Sequence, residues 1–197
     1  MKVRLIGHTT VNPQTVIGLE DVQDLVAYCA RVSNPSNQVN SETSEKLIRY
    51  LIKHKHWSPL EMASATVEVE TTRDIARQFL RHRSFSFQEF SQRYADPALM
   101  GDQFVLRDAR WQDTKNRQNS VDFDMTRPFD KDINKEWIAK QRQVIKAATD
   151  AYEWAVGNGI AKEQARVVLP EGNTISRLYV NGTLRSWIHY IDLRSSN

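Results

Sequence analysis

The chain has 197 residues, 40% of them hydrophobic and 26% charged, with a formal net charge of +3 at pH 7. That is enough chain for one substantial core and too little for two, so a single domain over 1–197 is expected. The small basic excess suits an anionic ligand but lacks the charge density of a dedicated nucleic-acid binder. No run approaches a membrane span and the N-terminus lacks the apolar core of a signal peptide, which points to the cytoplasm.

In chain order, Val3 to Ile6 reads as a short strand, and Glu20 to Val32 as a helix with Val22, Leu25, Val26 and Cys29 at helical spacing, stopping near Ser33-Asn34-Pro35. A second helix is expected from Ser41, as N-cap, through Leu47, Ile48, Leu51 and Ile52 to the basic K-H-K-H, with a break at Trp57-Ser58-Pro59. Ala63 to Thr71 alternates, Ala65, Val67 and Val69 against Thr66, Glu68 and Glu70, as a half-buried strand does. Arg73 to His82 follows as a helix. From Pro97 to Asn134 the chain is polar and irregular, with only Phe104-Val105-Leu106 offering a strand; an excursion this long reads as a functional loop or subunit-contact region.

A long helix is expected over Lys135 to Val156, ended by Gly157-Asn158-Gly159, and a short one over Ala161 to Val168, stopped at Leu169-Pro170. The last begins near Asn181 or Thr183 and carries Leu184, Trp187, Ile188 and Ile191. There is no repeat and no regular βαβ rhythm, so the class is α+β. The lone Cys29 excludes an internal disulfide and a cysteine-rich zinc site, and it reads as a small buried hydrophobe.

The chemistry concentrates in Arg81 to Tyr94, R-H-R-S-F-S-F-Q-E-F-S-Q-R-Y. On a helix, Arg73, Arg77 and Arg81 share one face, where like charges repel unless something neutralises them. A solvated face explains a charge run on its own. Here, however, the arginines lead into Ser84, Ser86 and Ser91 interleaved with Phe85, Phe87 and Phe90, the lining of a site for a flat, phosphorylated ligand such as a nucleotide. Gln88 and Glu89 can read the edge of a base or ribose. The glycine-rich phosphate cradles are absent from the sequence, so side chains must hold the phosphate. His54 and His56 at i and i+2, with no third ligand nearby, make a weak metal site, and none is expected.

Arg81-His82-Arg83, seven residues and then Ser91, followed by Arg93-Tyr94, resembles the R-H-R-x7-S signature of the flavin-dependent thymidylate synthases, the ThyX family. Further family-like pieces follow in order: Ala30-Arg31-Val32-Ser33; His56, Ser58, Pro59 and Glu61; Ala76-Arg77-Gln78; Ala165 to Pro170; and Leu184-Arg185 through His189 to Leu193-Arg194. The resemblance implies helices packed on an antiparallel sheet and methylation of dUMP to dTMP. The carbon would come from 5,10-methylenetetrahydrofolate and the reducing equivalents from NADPH through FAD. It also implies a homotetramer whose active sites draw on several chains, with no nucleic-acid or membrane partner.

By that resemblance Gln78, Arg81, Glu89, Ser91, Arg93, Arg166 and Arg194 hold dUMP, with Ser91, Arg166 and Arg194 nearest the reaction. Ser33, His56, Ser58, Glu61, Arg81, His82, Arg83, Gln88 and His189 hold FAD. Gln88 stands where the family commonly has Asn, Thr183 stands where Asn is frequent, and the loop at Glu171-Gly172-Asn173 is one residue longer than usual. Family members continue past the final L-R, so the resemblance implies a chain lacking the family's C-terminal end. The alternatives are a single-stranded nucleic-acid-binding module using the basic, aromatic 81–94 segment, and a homologue that keeps the fold without the reaction.

Overall fold

The computed structural model describes residues 1–12, 14, 18–96 and 103–195. Helices accompany a four-stranded sheet of order β1-β2-β6-β3 and a two-stranded hairpin, an α+β fold. The chain forms two compact units: residues 1–69, 80–89 and 178–197, and residues 70–79 and 90–177. Two of the four boundaries fall within β2 (Ser64–Thr72) and β6 (Ile175–Thr183).

In the first unit, β1 is Lys2–His8 and helix α1 is Val22–Ala30, capped by Asp21, whose carboxylate accepts from the Gln23 and Asp24 amides. Helix α2, Ser44–Lys53, starts later than expected: its N-cap is Thr43, not Ser41. The reason is tertiary. Buried Arg31 reaches the Asn40 carbonyl and the Thr43 hydroxyl, and the Ser44 hydroxyl donates to buried Asp24 at 2.7 Å. These bonds fix where the helix can begin. Val26, Leu60 and Ala63 form the core, with Val22, Ile48, Ile52, Trp57, Leu184 and Ile188 packed on it.

The alternation expected of β2 is present in sequence but not in exposure. Along it every residue is at least half-buried, and Glu68 is covered because Arg4 pairs with it at 3.0 Å. Two strands of the four-stranded sheet escaped the sequence reading. Strand β3, Ser86–Glu89, runs antiparallel to β6, with Phe87 opposite Val180 and Glu89 opposite Leu178. Strand β6 buries Ser176, Leu178, Val180 and Gly182 on one face; a Ser and a Gly among them hide the period of two. Helix α6, Leu184–Ser195, follows directly.

Helix α3, Arg73–Phe79, belongs to the second unit and ends three residues before His82. Arg81 and His82 therefore lie beyond the helix on which they were expected. Part of the excursion expected from Pro97 lies outside the described residues, namely 97–102. Gln141 of helix α4, Pro128–Gly157, exchanges two bonds with the Arg107 backbone, at 2.9 and 2.7 Å. Asn134 accepts from the Ala109 amide at 2.7 Å. These buried carboxamides supply what a neighbouring strand would supply, and sequence periodicity does not register them.

A hairpin of β4 (Arg110–Gln112) and β5 (Ser120–Asp122) also falls inside the stretch read as irregular. Helix α4 starts seven residues ahead of Lys135 because Pro128, which reads as a breaker, occupies its first turn, where no N–H is missed. Asp130, 2% exposed, sits in that turn and accepts from the Asp124 amide and the Trp111 indole. The short helix predicted after it divides into α5, Lys162–Ala165, and a 3-10 turn, Arg166–Val168.

Candidate functional site

A cavity of about 350 Å³ in the second unit is lined by Arg73, Arg77, Gln92, Glu163, Gln164, Arg166, Val167, Leu169 and Glu171. Helix α3 presents the first two arginines one turn apart, and the 3-10 turn after α5 presents Arg166. Glu171 ties the pair down: Arg77 donates to both of its oxygens and Arg73 approaches at 3.5 Å. The hydrogen bond from Arg77 holds the Glu171 carboxyl below its usual range, with the charges of both arginines adding to it.

Arg166 is differently placed. Its Nε donates to the Glu163 carbonyl at 3.1 Å, and its terminal nitrogens take no partner among the described residues. Beside it Gln92 is 4% exposed, and its side-chain nitrogen is buried with no hydrogen-bond partner among the described residues. A buried donor left unmatched costs on the order of 1–3 kcal/mol. An anion in the cavity offers the missing acceptors. Of the residues expected near dUMP, Arg166 lines this cavity, Gln78 follows Arg77 on α3, and Ser91 and Arg93 flank Gln92. Arg93 pairs with Glu163 at 3.6 Å.

The first unit holds Arg81, Glu89 and Arg194 with all the residues expected at FAD. Arg194 lies 3.2 Å from His82 Nε2 and 5.9 Å over the Tyr190 ring. Burial pushes the His82 imidazole below its ordinary 6.5, and the charge of Arg194 adds to this, so His82 stays neutral at pH 7 and accepts the bond. Glu61 accepts from Arg185 at 2.5 Å, and His189 meets Trp57 edge-on at 4.4 Å. Lys55, in the left-handed region at φ 59°, turns the chain between α2 and the 3-10 turn Ser58–Glu61, and His56 and Ser58 follow from that turn.

The side chains of Ser33, Arg81, Arg83 and Gln88 are exposed and take no polar partner among the described residues, so the structure does not join them to the other candidates by direct bonds. Cys29 is half-buried rather than fully buried, and burial pushes its thiol up, away from a reactive thiolate.

Four cavity residues were missed in the sequence. Glu171 entered only as part of a long loop, Glu163 and Gln164 had no signal, and Gln92 lies just past the signature, between Ser91 and Arg93. A run of three polar residues, Ser91-Gln92-Arg93, gives no hint that its middle member is buried. Among the described residues no group of three or more His, Cys, Asp or Glu could hold a metal. No helix there is long and apolar enough to cross a membrane.

An α+β fold with a cavity lined by Arg73, Arg77 and Arg166 defines the class: a fold whose cavity chemistry suits a small anion. The profile described as "Thymidylate synthase complementing protein" matches residues 15–197, and the chain belongs to that family, the flavin-dependent thymidylate synthases. It is 47% identical over 197 residues to the "Probable flavin-dependent thymidylate synthase" of Paramecium bursaria Chlorella virus 1, covering all of this chain and 86% of that one. It is also 47% identical over 196 residues to the "Flavin-dependent thymidylate synthase" of Synechocystis, covering 98% and 85%. Among solved structures, the UMP/dUMP methylase PolB from Streptomyces cacaoi, bound with 5-Br dUMP, superposes with a TM-score of 0.77 at 27% identity, covering 96% of this chain and 76% of that one. These relatives give no support to a nucleic-acid-binding module.

Proposed function

We propose that this chain is a flavin-dependent thymidylate synthase that methylates dUMP to dTMP in the cytoplasm, as one catalytic domain over 1–197 assembled into a homotetramer. FAD is its cofactor, with 5,10-methylenetetrahydrofolate and NADPH as cosubstrates. The observation that carries the reading is the cavity, in which Arg166 and the buried Gln92 amide have donors to give and a nucleotide brings the acceptors.

Gln78, Arg81, Glu89, Ser91, Arg93, Arg166 and Arg194 bind dUMP. Arginine suits both ends of this substrate, matching phosphate oxygens as a fork and polarising a pyrimidine carbonyl. Arg166 and Arg194 favour negative charge on the ring in the transition state, and Ser91 positions the reacting carbon. Glu89 accepts from an N–H or O–H of the nucleotide.

Ser33, His56, Ser58, Glu61, Arg81, His82, Arg83, Gln88 and His189 hold FAD. The donor chemistry fits: exposed guanidinium groups for a pyrophosphate, and a carboxamide and a neutral imidazole for the ring edge. When bound, the flavin supplies the hydride. The half-buried, protonated Cys29 takes no part.

The test is the visible absorption spectrum of the purified chain with FAD, followed anaerobically by NADPH and then dUMP. The expected result is a flavin spectrum that bleaches with NADPH and responds to dUMP. A chain that stays colourless with FAD and forms no dTMP would overturn the proposal.

A further inference from the structure

Tyr190 belongs to neither proposed ligand set, yet one residue from each meets its ring. Helix α6 carries Trp187, Tyr190 and Arg194 at steps of three and four, so all three lie on one face. Phe85, 8% exposed, stands perpendicular to Tyr190 at 5.9 Å and packs on Trp187 at 4.7 Å. A buried neighbour in the signature segment thus sets the Tyr190 ring. His82 meets that ring at 4.9 Å with the planes at 82°, and the Arg194 guanidinium lies 5.9 Å from its centroid. Arg194 in turn donates to His82 Nε2 at 3.2 Å, which closes a triangle of three side chains.

The ring does for Arg194 what Glu171 does for Arg73 and Arg77, with one chemical difference. A carboxylate holds a guanidinium by taking its N–H donors and cancelling its charge. An aromatic face attracts the charge through its quadrupole and does neither. Arg194 pairs with no carboxylate among the described residues. Its side chain is exposed, and an exposed arginine samples many rotamers whose freedom is lost when a ligand fixes it. A ring contact that restricts those rotamers in the free protein lowers this loss and leaves donors for the ligand.

We propose that Tyr190 is a positioning residue: its ring face holds Arg194 beside His82 while the guanidinium keeps its charge and its remaining N–H groups for the nucleotide. The inference rests on the dUMP reading above and adds a residue to it. Isothermal calorimetry of the FAD-loaded chain with dUMP tests it. Tyr190→Leu, which keeps apolar bulk and removes the ring, should weaken dUMP binding by about tenfold. Tyr190→Phe, which keeps the ring, should bring affinity back to within about threefold of wild type. In an Arg194→Ala background, Tyr190→Leu should change affinity by no more than about twofold, because the side chain it acts through is gone.

Fluorinated phenylalanines placed at position 190 hold the shape of the ring while draining electron density from its face, so affinity should fall with each added fluorine. This series decides alone if Tyr190→Leu fails to fold. Wild-type affinity in Tyr190→Leu, or affinity indifferent to fluorination, would overturn the proposal. So would an equal loss from Tyr190→Leu with and without Arg194, which marks a residue that only packs. A wild type that binds FAD but no dUMP would sink the dUMP reading and this inference with it, whereas normal dUMP binding with a flat fluorine series sinks the inference alone.

Discussion

Two groups of arginines stand four residues apart in the chain and have opposite fates. Arg73 and Arg77, on α3, both reach Glu171. Arg81 and Arg83, past the end of that helix, are exposed and take no side-chain partner among the described residues. In sequence all belong to one basic run. The difference lies in a carboxylate about ninety residues away, and it shows that a cation's availability for a ligand is set by its neighbours in space.

Arg81→Ala separates the two groups most sharply. Turnover should fall by about 100-fold or more, since this arginine belongs to both proposed ligand sets. Unfolding free energy should stay within about 0.5 kcal/mol of wild type, because no contact is lost. Parallel steady-state kinetics and urea unfolding check both halves. Full activity with a destabilised fold would make Arg81 structural and erase the distinction.

Gly182→Ala probes what anchors the segment carrying the unpartnered pair. A Cβ there would lie 2.3 Å from Phe85 Cδ1, and that ring is buried against Trp187 at 4.7 Å. The clash should cost about 1–3 kcal/mol in urea unfolding. Wild-type stability would mean the Phe85 ring moves aside freely and does not fix the signature in place.

Glu171→Gln acts on the clamped pair and has the smallest effect. The clamp is half-exposed, so at neutral pH the loss of stability should stay within about 1 kcal/mol, while dUMP affinity rises a few-fold as Arg73 and Arg77 are released. The folded carboxyl titrates below its ordinary 4.5. Its contribution is therefore present above that value and is lost as pH falls through the lowered one. Urea midpoints followed down from about pH 6 should lose less in this window for the variant. Identical acid profiles would show that the clamp contributes nothing to stability.

Much of the helical framework was legible because apolar residues at three and four mark α1, α2 and the body of α4. The signature R-H-R-x7-S was legible because arginines, a histidine and hydroxyls are dense and ordered there. What stayed hidden has specific causes. Strand β6 buries Ser176 and Gly182 among its inward residues, and the 103–109 segment is held by Asn134 and Gln141 through backbone bonds that leave no pattern. Arg73, Arg77 and Arg81 were expected on one face, but α3 ends at Phe79. Gln92 carried no signal because burial of a carboxamide depends on what folds over it.

The sequence by itself determined the α+β class, most helices, the family, and a basic segment suited to a flat anion, since these follow from residue type and spacing along one chain. Only the tertiary structure decided which arginines are clamped by Glu171 and that the buried Gln92 side-chain nitrogen has no acceptor among the described residues. Each of these depends on groups far apart in sequence meeting, or failing to meet, in space, and local periodicity carries no record of that.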